Sequence, residues 1–129
     1  MDWEENFDRC SPWIEAALVY ADGSHTLDDV RVGIQTGRYQ FFSCETGFAI
    51  TEIVTTPRKL VLSYFLAGGD LKTFEEYEPV IEQWARNEGC DRIEFTGRRG
   101  WLRSFLRDRG YGNELITLSK ELNDGESEG

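Results

Sequence analysis

Apolar positions along the chain change period five times, and these changes divide it into elements. Trp13, Ile14, Ala17 and Leu18 recur at helical spacing after Ser11-Pro12, which reads as an N-cap followed by proline at the first helical position; Asp22-Gly23 stops that helix. Thr26 with Asp29 three residues on resembles a capping box, and Leu27, Val30 and Ile34 carry a short second helix to Gly37. From Tyr39 the texture becomes aromatic and β-branched. Residues 39–42, 48–56 and 59–66, broken by Thr46-Gly47 and Pro57-Arg58, predict three strands in an antiparallel meander. Leu71, Phe74, Tyr77, Val80, Ile81, Trp84 and Ala85 then predict a third helix, capped by Asp70 or Thr73, kinked or broken at Pro79 and ended at Gly89. Residues 91–96 read as a short strand. Trp101, Leu102, Phe105 and Leu106 mark a fourth helix stopped by Gly110, and residues 115–118 lie in a last strand. The order α-α-β-β-β-α-β-α-β is that of an α+β domain.

Composition narrows the function classes. With 129 residues, 40% of them hydrophobic and 13% aromatic, the chain has material for one core, and we expect a single domain over residues 1–122 followed by a disordered acidic tail, 123–129. Lys and Arg number 14 against 24 Asp and Glu, a net charge of −10 that disfavours nucleic acid and anionic lipid over most of the surface. The longest charge-free stretch, residues 60–69, is half of the roughly 20 needed to cross a bilayer, so no membrane span is expected. The acidic first nine residues lack the apolar core of a secretory signal, which makes the cytoplasm the expected location.

Candidate chemistry is sparse. Cys10, Cys44 and Cys90 are odd in number and widely spaced, so buried reduced thiols are expected rather than disulfides or a zinc site. Asp28-Asp29 project to different helix faces without histidine partners, so no metal is expected. The single histidine, His25, reads as a solvated turn residue, and no Ser-His-Asp or Cys-His arrangement is supported. Glu52 shares strand parity with Phe48, Ile50 and Val54. It is either a carboxylate in an apolar face, with the raised pKa of a general base, or a rim carboxylate paired with Arg or Lys. Within the acidic chain one basic island stands out: Arg99, Arg103 and Arg107 repeat at four-residue spacing and line one helix face, a docking stripe for a protein or anion or an ordinary solvated face.

The element order, together with the stretch from Thr96 to Tyr111 that closes on Gly110-Tyr111, resembles the GCN5-related N-acetyltransferase (GNAT) family, and also small GNAT-like proteins encoded in tailed-phage genomes. The resemblance implies a strongly twisted mixed sheet with about four helices and an acetyl-CoA site where the helix after the third strand turns its N-terminus toward a diphosphate. The corresponding residues are Leu66, Ala67, Gly68, Gly69 and Asp70; the family's leading Gln or Arg is missing, and Asp70 brings a negative charge. Glu52 would be the base. Leu106 stands where many members carry a tyrosine acid, which leaves Tyr111 as its substitute. Two functions are therefore carried forward: an acyltransferase-like protein whose acetyl-CoA site is degenerate and catalysis weak or lost, and a non-catalytic phage protein that binds a virion or host protein, located in the host cytoplasm or virion.

Overall fold

The computed structural model describes residues 3–21, 23–95, 106–112, 120 and 122. Residues 1–96 form one compact unit and 97–129 another. The first unit is α1 (Trp3–Leu18), α2 (Leu27–Gln35), β1 (Tyr39–Cys44), β2 (Gly47–Thr55), β3 (Leu60–Gly69), α3 (Leu71–Asn87) and β4 (Arg92–Phe95). One 3-10 turn, Val19–Ala21, extends α1.

α1 starts earlier than the sequence pattern suggests. Pro12 lies inside it rather than at its first position, because Phe7, Cys10, Ile14 and Leu18 form a continuous buried stripe that outweighs the lost amide. Ser11 Oγ also donates to the Phe7 carbonyl one turn back at 3.0 Å. Pro79 likewise leaves α3 unbroken from Leu71 to Asn87, where Phe74, Ile81 and Ala85 are buried. α2 matches its pattern: Asp29 N–H donates to Thr26 Oγ1 at 3.1 Å, and Thr26 N–H donates to Asp29 Oδ2 at 2.9 Å.

The sheet runs in the order β1-β2-β3-β4. The first three strands are the expected antiparallel meander, and β4 returns parallel to β3 after the α3 crossover. Two reciprocal bonds set that register: Asp91 N–H donates to the Leu60 carbonyl at 2.7 Å, and Leu60 N–H donates to Asp91 Oδ2 at 2.9 Å. Strand alternation sorts the two faces. Tyr39, Phe41, Phe48, Ile50 and Leu66 pack with Phe7, Ile14 and Val30 of α1 and α2. Phe42 meets Trp84, and Tyr64 meets Phe74, both on α3.

One irregularity shapes the first face. The β2–β3 register passes from Ile50↔Leu66 to Thr51↔Tyr64, so Phe65 is an extra residue, a bulge. It places Phe65 against Tyr39, ring centroids 5.2 Å apart and stacked. All three cysteines are unbridged; burial raises the pKa of the Cys10 thiol.

In the second unit the described residues give a 3-10 turn, Arg107–Arg109, closed by Gly110 at φ 94°. The helix count is thus corrected to three α-helices among the described residues, against about four expected. Residues 101–105 of the expected fourth helix, the strand at 115–118 and the tail at 123–129 lie outside the described residues.

Candidate functional site

Two places bear on function: the entrance to α3 singled out in the sequence, and a cleft beside His25 that was not.

At the α3 entrance the two glycines are committed to packing. Gly69 has φ 97°, and a β-carbon there would fall 2.4 Å from the Thr46 carbonyl oxygen and 2.5 Å from Gly47 Cα. A β-carbon on Gly68 would press on the Phe48 ring at 2.8 Å. The strand end is therefore seated against the β1–β2 turn. Asp70 N–H donates to the Thr46 carbonyl at 2.8 Å, and the Thr46 and Thr73 hydroxyls meet. Asp70 is the N-cap, its carboxylate accepting from Lys72 N–H at 3.1 Å and its carbonyl from Phe74 N–H at 3.1 Å. Next to this joint, Phe42, Phe48, Phe74 and Tyr77 with Gly47, Gly68 and Thr73 line a mainly apolar hollow of only ≈ 10 Å³. Leu66 is buried in the core and Ala67 is half-buried on the same strand.

Glu52 stands far along β2 from those glycines, opposite Tyr39 on β1. Arg38 Nε donates to its carboxylate at 3.1 Å, an ion pair at the edge of the sheet. Tyr111 follows Gly110 and sends its backbone N–H to the Leu106 carbonyl at 3.1 Å. Arg107 is exposed on the 3-10 turn; Arg99 and Arg103 lie outside the described residues. Among the described residues no group of three or more His, Cys, Asp or Glu could hold a metal ion, and no helix is long and apolar enough to cross a membrane.

The second place is built by three separate elements. Gly23, at φ 76°, turns the chain after α1, so that Ser24 and His25 lead into the Thr26 cap of α2. Ser24 Oγ lies 2.7 Å from His25 Nδ1, and Tyr39 Oη, from β1, lies 3.3 Å from His25 Nε2. The bulge residue Phe65 holds the imidazole edge-on at 4.7 Å between ring centroids. Gly33 admits the Tyr39 ring onto α2, for a β-carbon there would sit 2.3 Å from it. Burial raises the Tyr39 phenol pKa, opposed by the Arg38 guanidinium, so the phenol stays protonated at neutral pH. The pKa of Asp29 is lowered by the Thr26 backbone N–H and then by the Thr26 hydroxyl, so it is a carboxylate. Ser24, His25, Asp29, Val32, Gly33, Thr36, Arg38 and Tyr39 line an open, largely polar cleft of ≈ 350 Å³. His25 is thus a half-buried hub rather than a solvated turn residue. Adjacency of Ser24 and His25 was the available sequence signal; the bulge that brings up Phe65 was not.

No family model matches the chain, and no curated protein matches its sequence. Solved structures do resemble it. A tetramutant of the BH1408 protein from Bacillus halodurans is similar at TM-score 0.69 and 12% identity, covering 92% of this chain and 95% of that one. TTHA1254 from Thermus thermophilus is similar at TM-score 0.62 and 17% identity, covering 95% of each chain. A transcriptional regulator from Bacillus halodurans is similar at TM-score 0.54 and 13% identity, covering 75% and 77%. Identities this low show the fold alone. They correct the resemblance to GNAT proteins and to their phage-encoded forms: the neighbours are of the BH1408 and TTHA1254 type, and the described residues form a four-stranded α+β unit with three α-helices. The stretch that carried the likeness falls largely on residues 96–105, outside the described residues.

Proposed function

We propose that this chain works by binding another protein rather than by acetyl-CoA chemistry. The supporting observation is the α3 entrance, where the chain itself occupies the features a diphosphate would use. Asp70 takes the Lys72 amide, and Gly68 and Gly69 are packed on Phe48 and the Thr46-Gly47 backbone. A dianionic diphosphate placed there would meet a carboxylate in place of open N–H groups, reversing the sign that makes helix N-termini anion sites. The surface proposed for the partner is the basic island of Arg99, Arg103 and Arg107, the one concentration of positive charge in a chain of net charge −10. A partner with a complementary acidic patch would be steered to it and repelled elsewhere.

Two measurements test this reading. Acetyl-CoA at millimolar concentration is expected to leave Tm unchanged, since only a ligand bound by the folded state raises it; a concentration-dependent rise overturns the proposal. A stoichiometric partner recovered from the native source is expected to bind Asp70→Ala as it binds the parent chain, and to be lost when Arg103 and Arg107 are both changed to Glu. Binding that survives the double reversal moves the interface elsewhere.

A further inference from the structure

The His25 cleft has a geometry that protein binding does not use. Ser24 is exposed at its mouth, and its hydroxyl oxygen is 2.7 Å from His25 Nδ1, the length of a hydrogen bond donated by O–H. Tyr39 Oη lies 3.3 Å from His25 Nε2, so both ring nitrogens have a hydroxyl partner. In the Nε2–H tautomer the Nδ1 lone pair faces the serine hydroxyl, the state a general base requires. Tyr39 and the edge-on Phe65 ring hold the imidazole from two sides, so the base is oriented by a third group. Asp29, held by Thr26 N–H, and Arg38, ion-paired with Glu52, line the same cleft. Val32, 46% exposed, adds an apolar side chain to the lining.

We propose that Ser24, with His25 as its base and Tyr39 as the residue positioning that base, forms a nucleophilic site that hydrolyses small carboxylic esters. Ser24 Oγ forms a bond to the ester carbonyl carbon while its proton passes to His25 Nδ1. The ester C–O bond breaks with its electron pair on the leaving oxygen, which takes the proton back from the imidazolium. Water then adds to the acyl-serine, gives a proton to Nδ1, and the carboxylic acid departs as Ser24 regains its hydrogen. No oxidant, metal or cofactor enters the balance.

The full-length chain incubated with p-nitrophenyl acetate tests this. Nitrophenolate release is expected, with the acetyl group found on Ser24 by tandem mass spectrometry after acid quenching. Ser24→Ala, its fold verified by circular dichroism, should lower release by about 100-fold or more. Ser24→Cys should still be acetylated at that position. His25→Gln should slow acylation by about 100-fold, its fold verified by circular dichroism. Release that persists undiminished in Ser24→Ala is ordinary imidazole catalysis and overturns the proposal. So does acetylation confined to lysines and tyrosines. Neither outcome bears on partner binding at the basic island, so this proposal and that one fail separately.

Discussion

Gly33 and Tyr39 occupy one another's space: the ring lies where a β-carbon on the helix would be, 2.3 Å from its Cδ2. A glycine inside a helix ordinarily costs about 1 kcal/mol against alanine. Here it admits a buried ring that stacks on Phe65 and reaches His25. Gly33→Ala should therefore destabilise by about 1–3 kcal/mol through overpacking despite its better helix propensity. Urea denaturation measures this. Stability unchanged or higher than the parent would mean that the ring moves aside freely, and the His25 hub with it.

Most of the fold was legible because short-range patterns decide it. The Thr26–Asp29 box, the meander after Tyr39 and the apolar stripe of α3 each rest on spacing within a few residues. The start of α1 is not legible, because Pro12 is a strong local signal and the burial of Phe7 and Cys10 that overrides it depends on the sheet. At the candidate sites, the Asp70 cap is legible from its place just before the α3 stripe, whereas the hub at His25 is not. Ser24, Tyr39 and Phe65 converge on it only through a hairpin, a β-bulge and a glycine in α2. Strand parity gave Glu52 its face, but its partner Arg38 precedes β1 and is reached only once the β1–β2 register is known.

Two glycines with similar backbone angles should respond differently to alanine. Gly37 has φ 86° with nothing within 4 Å of a built β-carbon, so Gly37→Ala should lose only the left-handed strain, about 1–2 kcal/mol. Gly69 has φ 97° and backbone atoms of Thr46 and Gly47 within 2.5 Å. Gly69→Ala should add about 1–3 kcal/mol of overpacking to that strain. Paired thermal melts compare them. Equal losses would mean that the joint between β3 and the β1–β2 turn is loose, which would also reopen the space before α3.

Tyr64 offers the opposite sign. Its ring is buried among Phe74 and Phe95, and its hydroxyl has no hydrogen-bond partner among the described residues. Burial pushes its pKa far above the ordinary range, and the nearby Glu78 and Glu82 add to this, so the phenol stays neutral. Tyr64→Phe keeps the ring contacts and removes a desolvated hydroxyl, so stability should be unchanged or rise by about 1–2 kcal/mol. A loss greater than about 1 kcal/mol in denaturant titration would reveal a bond to that hydroxyl.

The cap of α2 sets part of the acid limb of stability. Hydrogen bonds from Thr26, first its backbone N–H and then its hydroxyl, hold the Asp29 pKa below the usual carboxylate value. A depressed folded pKa contributes stability that is present above the unfolded pKa and lost as pH falls through the folded one. The parent chain should therefore lose this contribution from about pH 4 downward. Asp29→Asn, which cannot titrate, should show a correspondingly shallower decline in Tm over that window while being less stable at neutral pH. Thr26→Ala should cost about 1 kcal/mol at neutral pH, the usual worth of an N-cap, and should flatten the same limb because the hydroxyl that favours the charged carboxylate is gone. With both changes present, the neutral-pH losses should sum to more than the double variant shows, since the two side chains form one reciprocal box. Strict additivity in a double-mutant cycle, or an acid limb identical in parent and Asp29→Asn, would remove the box from the pH dependence.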